Sequence, residues 1–345
     1  MHLPRPVIFH PRFLLVCLLT ASLGVIVASP VRAANAPKLK APVKKGGLPG
    51  YVVVQLGRGH NNRLKLAATI EGKKGLMMVD TGAHASLLSL SKYGGLLKEA
   101  NRKLPPGVPK TVSMNGVPSA VVVTRDFVIQ NQDLGPIAAA LVPGRFIYDQ
   151  AALYDREAGS SYDGLIGEDL LRRTRAVVDC SRLILYLNVD PAKQFHLGPE
   201  LTRNGWTRVP MTSSGNHFLV PCTLKGHQYR LIVDTGAPLA ILDRGIAHSA
   251  GASSHDLPLS GGLVGMQAER MALLDSHDIA IGNFQISSYL MARSGVARVF
   301  ESLGRNGGPP ILGLLGGDLL AKNGAIIDIG GSALYLKRTA PAKKS

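Results

Sequence analysis

The chain has 345 residues, 46% of them hydrophobic, so it is long enough for two domains of ordinary size, each with its own core. Glycine is abundant at 39 residues and aromatic residues make up only 5%, a composition that favours turn-rich β structure over helical bundles. The net charge of +16 would suit a nucleic-acid partner, but the single tryptophan and the lack of interleaved aromatic and basic residues argue against that class.

The N-terminus has the pattern of a secretory signal peptide. Residues 1–12 carry Arg5 and Arg12 and no acidic residue, residues 13–28 are almost wholly apolar, and Val31-Arg32-Ala33 resembles a cleavage site. We predict a signal peptide over residues 1–33 and a periplasmic or secreted protein. The apolar run is long for a signal, so an uncleaved membrane anchor is the alternative.

Most of the positive charge lies at the two ends of the chain. Residues 1–33 hold three arginines, residues 34–48 hold four lysines and residues 337–345 hold four basic residues, all without an acidic residue, which leaves +5 for the remainder. Such segments are typical of solvated tails that can touch an anionic membrane surface. We therefore predict a basic linker over residues 34–48, with a role as a pro-segment left open, a basic tail over residues 339–345, and no nucleic-acid partner.

The chain repeats itself once. Three pairs of identical residues lie 154 positions apart and four more pairs lie 149 apart. The pairs are Asn62/Asn216, Gly72/Gly226 and Asp80/Asp234, then Gly116/Gly265, Gly167/Gly316, Asp179/Asp328 and Tyr186/Tyr335. We predict two similar lobes, residues 49–189 and 205–338, joined by a linker over residues 190–204. Fused halves of this kind are expected to act as a monomeric pseudo-dimer.

Both copies carry the signals of β-strands in the same order. In each, a loosely alternating segment, a glycine turn and an apolar run lead into an aspartate; the segments are residues 64–70, 71–74 and 75–80, then 218–224, 225–227 and 228–234. Asn115-Gly116 predicts a tight hairpin. Short helices are predicted at residues 168–173 and 317–322, and closing strands broken by a turn at 176–187 and 325–336. The predicted class is all-β with a little helix.

An acidic turn ends the apolar run in each copy, as Asp80-Thr81-Gly82 and Asp234-Thr235-Gly236. Burying an unpaired carboxylate is costly, so its appearance twice indicates that the two groups work together. If the lobes fold about a local two-fold axis, the carboxyls meet and share one proton. One then serves as a base toward water while the other donates to a substrate oxygen.

These motifs resemble those of the aspartic peptidases, including the pepsin-like and retroviral-type enzymes. The resemblance rests on Met78-Val79-Asp80-Thr81-Gly82 with Leu165-Ile166-Gly167, and on Ile232-Val233-Asp234-Thr235-Gly236 with Leu314-Leu315-Gly316. It implies a bilobal all-β fold, two β-barrel-like lobes about a pseudo-two-fold axis, with a cleft between them. It further implies an endopeptidase acting on a peptide or protein substrate, with water and no metal or other cofactor.

The resemblance also assigns roles to individual residues. Asp80 and Asp234 become the catalytic pair, and Thr81 and Thr235 become cross-bracing hydroxyls. The remaining support and cleft residues would be Gly82, Ala83, Gly236, Ala237, Gly167 and Gly316. The flaps would be formed by Met114, Asn115, Gly116, Leu263, Val264 and Gly265.

Some positions depart from the pepsin-like pattern. Ala83 and Ala237 stand where pepsin-like lobes usually have a hydroxyl residue, so we expect a less depressed lower pKa and activity extending toward neutral pH. His84 follows directly, and is expected either to tune the pair or to face solvent. No flap tyrosine is evident, so pepsin-like specificity is not expected.

Two other functions remain as alternatives. One is a catalytically silent peptide-binding or scaffold protein that keeps the fold, and the other is a surface-associated structural protein that uses its basic tails. Cys180 and Cys222 allow either a disulfide or two buried thiols. Neither their spacing nor that of the ten histidines matches a metal-binding pattern.

Overall fold

The computed structural model describes residues 50–59, 62–99, 102–114, 117–143, 162–190, 192–193, 196–214, 217–252, 254–261, 269–274, 279–286, 292–294 and 308–337. These residues fall in one compact unit. The predicted signal peptide, basic linker and basic tail lie outside the described residues, as do Asn115, Gly116, Leu263, Val264 and Gly265 of the predicted flaps. No helix of the described part has both the length and the apolar character needed to cross a bilayer.

Strands dominate the first half of the chain. They are β1 (Tyr51–Gln55), β2 (Gly57–Arg58), β3 (Leu64–Ile70), β4 (Lys73–Val79), β5 (Leu87–Ser89), β6 (Thr111–Met114), β7 (Val117–Val123), β8 (Val128–Ile129), β9 (Gln132–Asp133), β10 (Ala138–Val142), β11 (Gly164–Ile166), β12 (Val177–Asp179) and β13 (Ile184–Asn188). The helices here are α1 (Leu90–Tyr93), a 3₁₀ turn (Gly94–Lys98) and α2 (Glu168–Arg173).

The second half has the same make-up. Its strands are β14 (Thr207–Pro210), β15 (Thr212–Ser214), β16 (His217–Leu224), β17 (His227–Val233), β18 (Ile241–Asp243), β19 (Ser254–Gly261), β20 (Glu269–Leu274), β21 (Ile279–Ile281), β22 (Phe284–Gln285), β23 (Ala292–Ser294), β24 (Ile311–Leu315), β25 (Ile326–Asp328) and β26 (Ala333–Leu336). The helices are α3 (Gly198–Arg203), which lies inside the predicted linker, α4 (Arg244–Ser249) and α5 (Gly317–Lys322).

The two halves have the same sheet topology. One ten-stranded sheet runs β6-β7-β10-β5-β11-β4-β3-β8-β9 with β2 beside β3, and the other runs β19-β20-β23-β18-β24-β17-β16-β21-β22 with β15 beside β16. Each strand of the second sheet therefore occupies the position of the strand thirteen places before it. The predicted all-β fold of two similar lobes is confirmed.

The hairpins before the acidic turns are tighter than the sequence predicts. Residues 71–72 and 225–226 form two-residue turns with positive φ at every position, 51° and 73° in the first turn and 50° and 81° in the second. Residues 73–74 and 227, predicted as turn, already belong to β4 and β17. A positive φ at both central residues matches the right-handed twist of the flanking strands, which is why two residues suffice.

A third sheet of six strands is shared by both halves, and no sequence signal predicts it. Its order is β1-β13-β12-β25-β26-β14, so three strands come from each half. At its centre β12 pairs with β25 in the antiparallel sense, with Val178 opposite Ile327. Both side chains are fully buried. Because backbone hydrogen bonds cross between the halves here, this sheet ties the lobes to one another.

Each acidic turn is positioned by a parallel strand pair. β4 runs beside β11, with Val79 opposite Ile166, and the amide of Asp80 continues the ladder to the carbonyl of Ile166 at 3.0 Å. In the second lobe β17 runs beside β24, and the amide of Asp234 donates to Leu315 at 3.1 Å. The distant apolar segment of each predicted motif is thus the strand that fixes where its aspartate emerges.

The glycine after each of these strands allows a close approach of two backbones. A Cβ on Gly167 would lie 2.7 Å from the carbonyl oxygen of Ala85, and one on Gly316 would lie 2.6 Å from the amide of Ala240. Both separations are shorter than carbon contacts in folded proteins allow. Only glycine therefore lets the chain following each acidic turn fold back against its supporting strand.

Two isolated sequence questions are also answered. Cys180 and Cys222 are buried, free thiols, so the disulfide alternative does not apply.

Lys337 begins the basic C-terminal segment. Its Nζ lies 4.2 Å from the centroid of the Trp206 ring and donates to the carbonyl of Asn204 at 2.6 Å. It is therefore part of the folded lobe rather than of a solvated tail.

The Gly167→Ala variant should lower the free energy of unfolding by about 1–3 kcal/mol or more, because the added methyl overlaps the backbone of residues 83–85. Urea unfolding measures the change. Gly95→Ala is the matched control, since a Cβ there meets no atom within 4 Å. Equal stability of the two variants would contradict the close-packing argument.

Candidate active site

The side chains of Asp80 and Asp234 meet between the two lobes and are hydrogen-bonded to each other. Asp80 is 6% exposed and Asp234 is half-buried. The neighbouring glycines make room for this contact reciprocally. A Cβ on Gly82 would overlap the carboxyl group of Asp234, and one on Gly236 would overlap that of Asp80. The glycine backbone of each acidic turn thus packs against the aspartate carboxyl group of the other lobe.

Four hydrogen bonds through two threonines connect the turns. The amide of Thr81 donates to Oγ1 of Thr235 at 3.0 Å, and the amide of Thr235 donates to Oγ1 of Thr81 at 3.0 Å. Each hydroxyl then donates across the lobes, Thr81 to the carbonyl of Val233 at 2.8 Å and Thr235 to that of Val79 at 2.7 Å. Both threonines are buried, so these bonds are shielded from water and hold the aspartates in register.

The two carboxyl groups have unequal donors. Oδ1 of Asp234 accepts from the amides of Gly236 and Ala237, both at 2.9 Å. Among the described residues, Oδ1 of Asp80 accepts from the backbone amide of Gly82 alone, at 2.9 Å, because the amide of Ala83 donates instead to the backbone carbonyl of Asp80. Donors to a carboxylate favour its charged form, so the surroundings favour Asp234 as the ionised member.

The pKa values follow from burial and from this inequality. Burial raises the pKa of Asp80, and the negative charge of Asp234 raises it further. Burial also raises the pKa of Asp234, against which the amides of Ala237 and Gly236 and the hydrogen bond from Asp80 act. The pair therefore retains one proton toward neutral pH, carried by Asp80 and donated to Asp234.

A buried arginine reaches this site from the first lobe. Arg63, at the residue before β3, is 6% exposed, and its Nε donates to the carbonyl of Gly236 at 2.7 Å. Its positive charge lowers the pKa of both aspartates. The sequence analysis did not identify Arg63. The signal available was its place beside Asn62, one of the repeated residues.

A second group of charged residues lies where α2 meets the second lobe. The side chain of Glu168 is 1% exposed, and its Oε2 accepts from Nε of Arg172 at 3.0 Å. Burial raises the pKa of Glu168 to about 7, and Arg172 opposes that shift. The guanidinium of Arg172 also lies 4.1 Å from the ring centroid of Phe218, and donates to Oγ of Ser213. These residues were also missed from sequence.

The remaining predicted site residues are partly described. Met114 pairs with Val117 at the tip of the β6–β7 hairpin, as predicted, with the other flap residues outside the described part. Ala83 and Ala237 accept from the amides of Glu168 and Gly317 at 2.9 and 2.8 Å, which closes each acidic turn onto the following helix. His84 is exposed. Within the described ranges no cluster of three or more histidine, cysteine or acidic side chains is arranged to hold a metal ion.

Sequence comparison finds a family match in the second lobe. Residues 220–319 match the family model described as Aspartyl protease. The match lies within the second lobe. The matched range includes Asp234 and the strand that supports it, and the first lobe repeats the same strand order around Asp80.

Two solved aspartic proteases are distantly similar to this chain. A retropepsin-like aspartic protease from Rickettsia conorii shares 19% identity, covering 40% of this chain and 90% of its own, with a TM-score of 0.26. The aspartic proteinase from Irpex lacteus shares 12% identity, covering 84% of this chain and 98% of its own, with a TM-score of 0.43. No curated protein matches the chain.

Replacing Thr235 by Val should destabilise the protein, because the carbonyl of Val79 and the amide of Thr81 lose their partner in a buried place. Two unsatisfied backbone groups at about 1–3 kcal/mol each predict a loss of about 2–6 kcal/mol. Guanidinium unfolding measures it. Thr235→Ser keeps the hydroxyl and should lose much less; a Ser variant as unstable as the Val variant would contradict the assignment.

The raised pKa of Asp80 makes stability depend on pH. Its stabilising effect is complete below the ordinary pKa of 3.8 and is lost as pH rises toward the value in the folded protein. The Asp80→Asn side chain does not titrate, so its stability lacks this dependence on pH. Its unfolding free energy relative to the parent should therefore increase between about pH 4 and pH 7, by at most about 1.4 kcal/mol per pH unit.

Urea unfolding at three pH values across this range measures the dependence on Asp80. Asp190→Asn serves as the control, because its carboxylate is 40% exposed beside Lys193 in a salt bridge of 3.6 Å. A stability difference between Asp80→Asn and the parent that stays constant with pH would mean that Asp80 does not retain a proton.

Proposed function

We propose that this protein is an exported aspartic endopeptidase that hydrolyses peptide bonds with a water molecule held between Asp80 and Asp234. The observation that carries the proposal is the hydrogen-bonded pair of carboxyl groups, Asp80 buried and Asp234 half-buried, at the junction of two topologically equal lobes. The match of residues 220–319 to the Aspartyl protease family model supports a peptidase as the class of activity.

The unequal surroundings of the two carboxyls suggest how the work is divided. Asp234, with two backbone donors, serves as the general base that takes a proton from water. Asp80, which carries the shared proton, donates it to the carbonyl oxygen of the scissile bond as that oxygen gains negative charge. The hydrated carbon then expels the amine as the proton on Asp234 passes to the amine nitrogen and one hydroxyl of the hydrated carbon returns a proton to Asp80, which restores the starting pair. No covalent enzyme intermediate is formed.

The reaction needs the pair to keep one proton at working pH. Burial and the coupling of the two carboxyls raise the pKa of Asp80, so the single-proton state extends toward neutral pH. The single backbone donor at Asp80 acts in the same direction, since fewer donors stabilise its charged form less. We accordingly propose activity at near-neutral pH.

Export and membrane contact remain proposals that rest on sequence alone. The N-terminal charge and apolar pattern supports cleavage after residue 33, and the basic segments support peripheral contact with anionic lipid. Fractionation of cells expressing the full chain, with N-terminal sequencing of the product, tests the first. Retention on phosphatidylglycerol vesicles before and after deletion of residues 339–345 tests the second.

Asp80→Asn should lower kcat on a mixed peptide library by roughly 10²–10⁴-fold or more, since the general acid is lost while the shape is kept. Cleavage in H₂¹⁸O should place one ¹⁸O atom in each new carboxyl group, because water attacks directly. Mass spectrometry measures both. A chelator should leave the activity unchanged.

The control for this experiment is Asp190→Asn, an exposed carboxylate remote from the pair. Equal cleavage by the parent and Asp80→Asn would reject the assignment of the pair. Absence of cleavage in the parent, together with tight binding of the same peptides, would favour the alternative of a catalytically silent peptide-binding protein.

A further inference from the structure

Arg63 and His217 occupy the same position in the two copies of the repeat. They lie 154 residues apart, the same offset that separates Asp80 from Asp234. Arg63 directly precedes β3 and His217 is the first residue of β16, which are equivalent strands of the two ten-stranded sheets. The duplication has therefore placed a guanidinium in one lobe where the other has an imidazole.

Both side chains contact the acidic turn of the opposite lobe. Nε of Arg63 donates to the carbonyl of Gly236, and the imidazole of His217 is hydrogen-bonded to the backbone of Gly82. Since that bond favours the charged imidazole, the imidazole donates and the glycine carbonyl accepts. The two glycines are themselves equivalent, so the contacts form a symmetric pair made with different chemistry.

The imidazole bond uses a defined ring nitrogen. Nδ1 of His217 is buried and has no hydrogen-bond partner among the residues that the structure describes, which leaves Nε2 as the donor to Gly82. A neutral ring with its proton on Nε2 makes this bond and leaves Nδ1 as a bare acceptor. Protonating Nδ1 would place an N–H in a buried position without an acceptor, which is unfavourable.

Charges around the ring act in both directions. Burial lowers the pKa of His217, and the nearby positive charges of His84 and Arg172 lower it further. The carboxylate of Asp234 and the bond to Gly82 oppose this shift. Arg172 is hydrogen-bonded to Glu168 on α2, but burial raises the pKa of Glu168 to about 7, so its carboxylate does not neutralise Arg172 in the acidic range where His217 titrates. The balance favours the neutral ring near neutral pH.

We propose that His217 is a positioning residue whose neutral ring holds the Asp80 turn by donating a hydrogen bond to it. Arg63 holds the Asp234 turn in the same way, but with a permanently charged guanidinium. This inference rests on the proposed peptidase function and deepens it. The site then has one fixed cation and one group that changes charge with pH. Protonation of His217 adds a second cation beside Asp234 and puts an unpaired donor against the turn, so activity declines on the acidic side.

Three variants separate the parts of this proposal. His217→Gln supplies a neutral amide donor and should keep kcat within about threefold of the parent, while moving the acidic limb of the kcat–pH profile to lower pH by about one unit. His217→Ala removes the donor and should lower kcat by roughly tenfold, with KM changed less than about twofold. His227→Gln, an exposed histidine on β17, is the matched control and should leave the profile unchanged.

The opposite results would overturn the proposal. One such result is a kcat–pH profile of His217→Gln whose acidic limb superimposes on that of the parent. Another is a His217→Ala variant that keeps the kcat of the parent. A His217→Ala variant that loses activity without rescue by His217→Gln would likewise overturn it, because the donor would then not be the property that matters.

A measurement without catalysis distinguishes this failure from failure of the peptidase assignment. Nitrogen-15 NMR of the imidazoles in Asp80→Asn, an inactive protein under the proposed function, reports tautomer and titration directly. The expected result is a neutral His217 with its proton on Nε2 and a pKa below the ordinary value of 6.5. A freely titrating ring with mixed tautomers would reject the contact with Gly82, whatever the activity of the parent.

Discussion

Two buried carboxyl groups in hydrogen-bonding contact can share one proton but cannot both be ionised, and the centre of this protein is built around that constraint. Gly82 and Gly236 lack a side chain because the opposite carboxyl occupies the space that a Cβ would need. Thr81 and Thr235 stay fully hydrogen-bonded because each completes the backbone of the other lobe. The chemistry of the pair and the cohesion of the two lobes thus depend on the same few atoms.

The functional detail lies in departures from the symmetry of the two copies. Both turns have the same sequence through the alanine, yet Ala237 donates to its carboxylate and Ala83 does not. Arg63 is matched by His217. The hydrolysis proposed above activates water on one side and protonates an oxygen on the other, so it needs two unlike groups. The duplicated fold gives the two aspartates equivalent backbone positions, and a few residues that differ between the copies give their carboxyl groups different surroundings.

Much of this could be predicted from sequence because the signals were local and occurred twice. The strand before each aspartate, the Met114–Val117 hairpin and the short helices α2 and α5 all follow from patterns within a few residues. The six-stranded sheet could not be predicted, since pairing of Val178 with Ile327 joins segments far apart whose apolar runs carry no mark of their partner.

The site was predictable to a similar extent. The aspartates and threonines are marked by a repeated motif, whereas the roles of Arg63 and Glu168 arise only when a side chain from one lobe enters the other. A lone arginine before a strand has no distinguishing pattern. Only an alignment of the two copies, which pairs Arg63 with His217, would have identified Arg63 as a candidate site residue.

The shared sheet has a consequence for the two halves taken apart. With β12 and β25 separated, each half would end in an open strand edge whose natural partner is the edge of its own duplicate. A polypeptide carrying one half would expose that edge to pairing with a second copy of itself or with the other half. The architecture is therefore suited to complementation between fragments, in which each fragment brings one of the two aspartates.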